Sequence, residues 1–368
     1  MAFLTQASQQ WFTRPADERF VSLDEMSKAM NGLCDRSLSF VENTREIVVV
    51  PDENDTTNQG LFVYAGDSML APTHHSFGQL CSRASPSASP ASFFRENSMP
   101  APLVADALNY SLRFRRGAQD NVFVLATDDK LRAMTSATYG RVWNAEIIDL
   151  LKDRFGDGVT GDWRVPGEFG KKVTVDRENT TLYASDRDMF VFLANEGHRI
   201  EVPDRRDGKS GSLARGFFVW NSEVGDKTLG AGFFLFDYVC CNRIVWGADQ
   251  FHEFRFRHTK GAFGRWMDQV MPILDKFANG SPKSVQRTIQ AARRRKLRTD
   301  NLDQFLANRF GRGMVQPIKT AHEADEGRPI ETVWDVTVAA TAAARSLPNT
   351  DRRVEVERAA GRLLQRAG

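Results

Sequence analysis

The stretch that most restricts the fold is "RGFFVWNSEVGDKTLGAGFFLFDYV", from Arg215 to Val239. Successive side chains of a strand point to opposite faces. Phe217, Val219 and Asn221 therefore share one face, and Phe218, Trp220 and Ser222 the other. Both faces are apolar until the strand turns polar at its end, the pattern of a central strand covered on both sides. "VGDKTLG" then connects to a second strand, in which Gly230 and Gly232 predict a bulge or a close backbone approach. A chain of 368 residues, 41% hydrophobic and 26% charged, is long enough to bury such a sheet without disulfides or structural metal.

The surrounding pattern places this sheet in an α+β architecture. "FVSLDEMSKAM" reads as a helix, with Leu23, Met26 and Met30 on one face and Ser22 as N-cap. "REIVVV" and "GLFVYA" read as two strands of a meander. Helical pieces follow, broken by "SPSASP" and "SMPAP"; the last, "PLVADALNYSLRF", gathers Leu103, Ala107, Tyr110 and Phe114 on one face. "NVFVLA" and "LRAMTS" are strands around "TDDK", and "NAEIIDLLKDRFG" is a helix stopped by Gly156. A strand-rich block then runs to about His258, and the remainder is helical, with a linker-like break between Gly311 and Pro329. The expectation is a largely antiparallel central sheet with packed helices, an α+β core over residues 1–260 and a C-terminal helical region over 261–368.

Cys34, Cys81, Cys240 and Cys241 form no disulfide or Cys-x-x-Cys pattern, which favours a reducing compartment, and Cys240 and Cys241 read as small buried thiols. There is no secretion-type start and no apolar run of the length a spanning helix needs, so the expected setting is cytoplasmic, away from membranes.

The formal charge is only +2, so basic character has to be local to matter. It gathers in three places. In "EFRFRHTKG", Arg255 and Arg257 share one strand face and Phe254 and Phe256 the other, with His258 and Lys260 beyond. Such a strand buries its rings and offers guanidinium groups to phosphates. "KSVQRTIQAARRRKLR" carries Lys283, Arg287, Arg293, Arg294, Arg295, Lys296 and Arg298 with no acid before Asp300, an unbalanced basic helix suited to an anionic surface. "PDRRDGKSGSLAR" adds a basic loop with Arg205, Arg206, Lys209 and Arg215. Ordinary solvated faces compete with each of these readings.

Enzymatic signals are sparser. Asp186, Asp188, Glu223 and Asp237 fall on or near strands and could hold Mg²⁺ for phosphodiester cleavage. The six histidines have no partner at recognised metal spacing, and no metal or other cofactor is expected. There is no P-loop, dinucleotide fingerprint or nucleophile elbow.

Several ordered stretches, among them "ASQQWFTRPADERFVSL", "FGQLCSRA", "TSATYGRVWNAEIIDLL", "ENTTLYASDRDMFVFLA", "ARGFFVWNSEVG" and "FLFDYVCCNRIVWG", resemble the phage/plasmid-like protein family of unknown function. The resemblance covers most of the chain and implies a DNA-related role on mobile elements, with no catalytic residues to carry over. One departure is "SPSASP" at Ser85 to Pro90, where a shorter turn is expected.

The combined expectation is a nucleic-acid-binding protein, acting on single-stranded DNA in replication, recombination or annealing. Its site would comprise Arg215, Arg255, Arg257, His258, Lys260, Arg293, Arg294, Arg295, Lys296 and Arg298, with Trp220 or Trp246 stacking on bases. A metal-dependent nuclease and a protein–protein adaptor are the alternatives, and a homo-oligomer is compatible with each.

Overall fold

The computed structural model describes residues 14–114, 121–165, 174–178, 180–203, 210–237, 242–245, 254–281, 283–299, 301–347 and 350–367. Among these residues the chain is α+β, with two sheets and a C-terminal set of helices. The larger sheet runs β1 (Arg19–Phe20), β9 (Leu182–Ala184), β10 (Met189–Asn195), β12 (Gly211–Asn221), β13 (Leu229–Asp237) and β14 (Asn242–Val245). Off this path, β8 (Trp163–Arg164) pairs with β10, β11 (Ile200–Val202) with β12 and β15 (Phe254–Phe256) with β13. Its described pairings are antiparallel. The smaller sheet has the order β2 (Ser37–Asn43), β6 (Asn121–Thr127), β7 (Lys130–Ser136), β5 (Ser68–Pro72), β4 (Leu61–Ala65) and β3 (Val48–Pro51). Its β5–β7 pair is parallel.

The doubly apolar strands take the central positions their pattern requires. On one face Val191, Leu193, Phe217, Val219, Phe233 and Leu235 join a core with α1 (Leu23–Asp35), α5 (Asn144–Phe155), α6 (Ala262–Asn279) and α7 (Lys283–Arg294). The opposite face is almost wholly aromatic and glycine. Trp220 lies opposite Gly230, Phe218 opposite Gly232 and Phe234 opposite Gly216. At each glycine the facing ring occupies the space a Cβ would need, within 1.9 to 2.4 Å of it. The glycines thus serve close approach, by flat rings lying over bare backbone. Phe192 and Phe234 stack at 4.2 Å between centroids, and the ladder continues through Phe218 to Phe190 and Trp220. All five rings are buried.

Helices α2 (His74–Ala84), α3 (Ala91–Glu96) and α4 (Ala101–Phe114) cover one face of the smaller sheet, and the breaks between them fall at the two proline-bearing stretches. Strands β2 and β5 escape the sequence reading because each is mixed in polarity. Helix α4 turns the other way from its most obvious apolar face. Val104, Ala105, Leu108 and Leu112 enter the core, while Leu103, Ala107, Tyr110 and Phe114 stay exposed. The linker-like stretch after Gly311 instead contains α9 (Val315–Glu326), because Met314, Ile318 and His322 recur every four residues and bury. With α8 (Leu302–Phe310), α10 (Val333–Arg345) and α11 (Thr350–Gln365) it forms a satellite core of its own. Helices α10 and α11 pack on β14, whereas α6 and α7 share the core of the larger sheet.

The two sheets are joined by buried polar contacts. Arg132 on β7 pairs with Glu223, just past β12, at 2.9 Å, with both side chains almost wholly excluded from solvent. The same guanidinium donates to the Asp186 carbonyl at 2.8 Å. The other Glu223 oxygen accepts from the Asn144 N–H at the start of α5, at 2.8 Å. Nearby, Gln79 on α2 donates to the Val224 carbonyl and accepts from the Met134 N–H, both at 2.8 Å. A buried pair of this kind is costly to break on one side only, because the remaining charge has neither water nor partner. Arg132→Ala or Glu223→Ala is expected to lower unfolding free energy by about 3–5 kcal/mol. In chemical denaturation the double variant Arg132→Met/Glu223→Leu should cost clearly less than the sum of the two singles.

His258 is a second joint. Its ring stacks on Tyr139 at 5.0 Å, and its carbonyl accepts from the Gly140 N–H at 3.1 Å. A Cβ on Gly140 would meet the Thr259 carbonyl oxygen at 2.3 Å, so the two segments approach as only glycine allows. Burial pushes the His258 imidazole down from 6.5 to about 4. A folded-state value below the unfolded one means that this contribution to stability is complete above pH 6.5 and is lost as pH falls towards 4. The loss is about 1.4 kcal/mol for each pKa unit. NMR titration of the ring protons should place the His258 midpoint near 4, and a midpoint at the ordinary 6.5 would refute this account.

Candidate nucleic-acid interface

The basic stretch from Lys283 to Arg298 does not form one helix. Helix α7 ends at Arg294, and it buries Val285, Ile289 and Ala292 while Lys283, Arg287 and Arg294 face solvent. Beyond it the backbone is extended and stapled to the start of α10. Leu297 N–H donates to the Glu331 carbonyl at 2.9 Å, and Val333 N–H donates to that of Arg295 at 3.0 Å. Pairing in an extended conformation is what ends the helix. It also aims Arg295, Lys296 and Arg298 differently from a helical continuation, with all three exposed and Leu297 half-buried between them.

This extended segment forms one wall of a cavity of about 360 Å³, closed by α8, the first residue of α10 and the last turns of α11. Among the described residues six cations line it: Arg295, Lys296, Arg298, Arg309, Arg362 and Arg366. Its other lining residues among those described are Leu297, Phe305, Val333, Ala359 and Leu363, so no described carboxylate faces the space. The Arg309 guanidinium carbon lies 3.7 Å from the Phe305 ring centroid, a cation–π contact that presents a planar cationic surface. Arg295 donates to the Arg366 carbonyl at 2.6 Å, tying the segment to the end of α11, where a helix C-terminus favours positive charge. Six like charges around an apolar floor repel one another, and a multivalent anion relieves that repulsion. Phe305, Arg309, Arg362 and Arg366 were not singled out from sequence. Their signal is a four-residue spacing, Phe305 to Arg309 and Arg362 to Arg366, which puts each pair on one helix face.

Of the ten cations expected at the site, Arg255, Arg257, Lys260, Arg294, Arg295, Lys296 and Arg298 are exposed and Arg293 is half-buried. On β15, Phe254 and Phe256 pack against the main core and Arg255 points outward, as the alternation required. Strands β15 and β14 both pair with β13, on the side away from β12. Arg255 and the helices behind the cavity are thereby set along the same margin of the sheet.

Arg215 and His258 are corrections. Arg215 is buried, and its Nη1 donates to the carbonyls of Phe277 and Gly280, at 2.7 and 2.6 Å, capping the end of α6. His258 is buried in the joint described above. Trp220 is buried in the aromatic ladder and can stack on no base. Trp246, Asp237's side chain, Cys240, Cys241 and the loop cations Arg205, Arg206 and Lys209 lie outside the described residues.

Two of the four acids considered for a nuclease are otherwise engaged, whereas Asp186 is exposed and gives only its backbone carbonyl to Arg132. Glu223 pairs with Arg132, and Asp188 pairs with Arg14 and Lys227. Burial alone would raise the Asp188 carboxyl, but these two cations outweigh it and hold the group below its ordinary value. Among the described residues no group of three His, Cys, Asp or Glu side chains is placed to hold a metal ion, and no helix is long and apolar enough to cross a membrane. No family model, curated protein or solved structure matches the chain.

The division between capping and surface cations is measurable by denaturation. Arg215→Ala should cost about 1–3 kcal/mol through the unsatisfied helix-end carbonyls. Arg298→Ala should stay within about 0.5 kcal/mol of the parent.

Proposed function

We propose that the chain is a nucleic-acid-binding protein of the phage/plasmid type, holding DNA through the basic cavity at the end of α7, with Arg255 of β15 a further cation along the same margin of the sheet. The reading rests above all on one observation: among the described residues, six cations and no carboxylate surround a concave, partly apolar space. The chain carries 47 acids for 49 lysines and arginines, enough to pair most of its cations, yet none of the described acids lines this space. Arg295, Arg298, Arg362 and Arg366 would take phosphates, which position a strand without reading its sequence.

The dimensions favour an unpaired strand. A volume of 360 Å³ falls in the range of small-ligand pockets, and a duplex would reach only its rim. One nucleotide of a single strand could enter, its base lying on the Arg309–Phe305 stack and the aliphatic floor while its phosphates meet the surrounding arginines. Sequence-tolerant binding by stacking plus backbone charge is the established chemistry of single-strand binders. Annealing or protection of single-stranded DNA during replication or recombination is the process this would serve.

Fluorescence anisotropy with labelled oligonucleotides tests the reading. Four phosphate contacts on a single strand predict an affinity loss of about 10–10² between 50 and 200 mM salt. The paired reversal Arg298→Glu/Arg362→Glu, at exposed positions, should abolish most of the binding. Absence of binding to any oligonucleotide at low salt, or binding indifferent to the reversal, would overturn the assignment.

A further inference from the structure

The smaller sheet and the helices covering it hold an unexplained surface. Among the described residues, all nine large hydrophobic side chains that remain exposed lie between Leu38 and Phe114, and none lies on the larger sheet or the C-terminal helices. Three are on α4: Leu103 is 54% exposed, Tyr110 69% and Phe114 64%. With the exposed Ala107 they recur at intervals of four, three and four residues, the spacing of a coiled-coil seam. The seam runs along the side of α4 away from Val104, Ala105, Leu108 and Leu112, so the helix is apolar on two sides and only one is covered. Tyr110 and Phe114 touch each other, with ring centroids 5.3 Å apart. An isolated exposed leucine needs no explanation, but an aligned stripe of this size on an ordered helix marks a contact face.

We propose that this face is the contact with a second copy of the same chain, α4 against α4 in an antiparallel, two-fold arrangement. Side-chain size and charge both select that arrangement. Antiparallel pairing sets Leu103 of each copy against Phe114 of the other, and Ala107 against Tyr110, so that in the inner layers the smallest seam residue meets a large ring. Asp106 and Arg113 flank the seam on one side at equivalent heptad positions, and both are exposed. Across a two-fold axis the Asp106 of each copy meets the Arg113 of the other, giving two opposite-charge pairs from one helix. A parallel pairing would instead stack Tyr110 on Tyr110 and leave both charges without a complement. Four seam residues from each copy make a small contact, so the association is weak, in the micromolar to millimolar range.

Sedimentation velocity on the full chain, without nucleic acid, tests this at concentrations up to about 500 µM. A monomer–dimer equilibrium is expected. Phe114→Glu, at an exposed position, should leave only monomer, with circular dichroism confirming an unchanged fold. Asp106→Arg should weaken dimerisation by about threefold or more, and Asp106→Arg/Arg113→Asp should restore it. A chain that stays monomeric over the whole range overturns the proposal. So does a dimer that ignores both Phe114→Glu and the charge exchange.

Discussion

The Arg132–Glu223 ion pair is the contact on which the arrangement of the two sheets depends. Neither sheet can offer water to these groups, so each charge is tolerable only while the other is in place. Arg132 donates further to the Asp186 carbonyl and to the hydroxyls of Ser37 and Thr127, and Glu223 accepts from the first N–H of α5. The pair therefore specifies the relative placement of β7, β12 and α5 more than it adds net stability. It also holds Glu223 buried, with one oxygen on arginine and the other on a helix N-terminus, as a structural carboxylate. Asp188 meets the same fate between Arg14 and Lys227.

The contrast with the basic cavity is one of charge balance. Where the chain needs cations for structure it pairs or caps them, as Arg132 with Glu223 and Arg215 with the end of α6 show. Around the cavity it leaves six together over a hydrocarbon floor. Such a cluster raises the energy of the isolated protein through self-repulsion, and the exposed stripe on α4 likewise leaves apolar area in water. Both surfaces are departures from local stability, and departures of this kind collect where a protein meets something else. They lie in different parts of the chain, one on a helix of the smaller sheet and one among the C-terminal helices, and can act independently.

Much of the fold was legible in the residue order. The two-faced burial of Phe217 to Trp220, the capped helices at Ser22 and Gly156, and the proline-marked breaks around α3 all follow from local rules of alternation, capping and turn chemistry. The same holds for β15, whose rings turn in and whose Arg255 turns out. Harder cases share a cause. Helix α4 has two apolar faces, and periodicity cannot say which of two will find a partner. The stretch after Gly311 looks like a linker until Ile318 and His322 find α10 to pack on.

For the site, sequence by itself determined that cations would cluster between Lys283 and Arg298, because no acid interrupts them there. Tertiary structure alone decided that Arg215 and His258 are buried, that the helix stops at Arg294, and that Phe305, Arg309, Arg362 and Arg366 complete a cavity with Arg295 to Arg298. The physical reason is range. Alternation, capping and charge runs act over a few residues and are written in adjacent letters. Burial and cavity walls come from segments more than sixty residues apart, such as Arg295 and Arg366, whose meeting is settled only by packing.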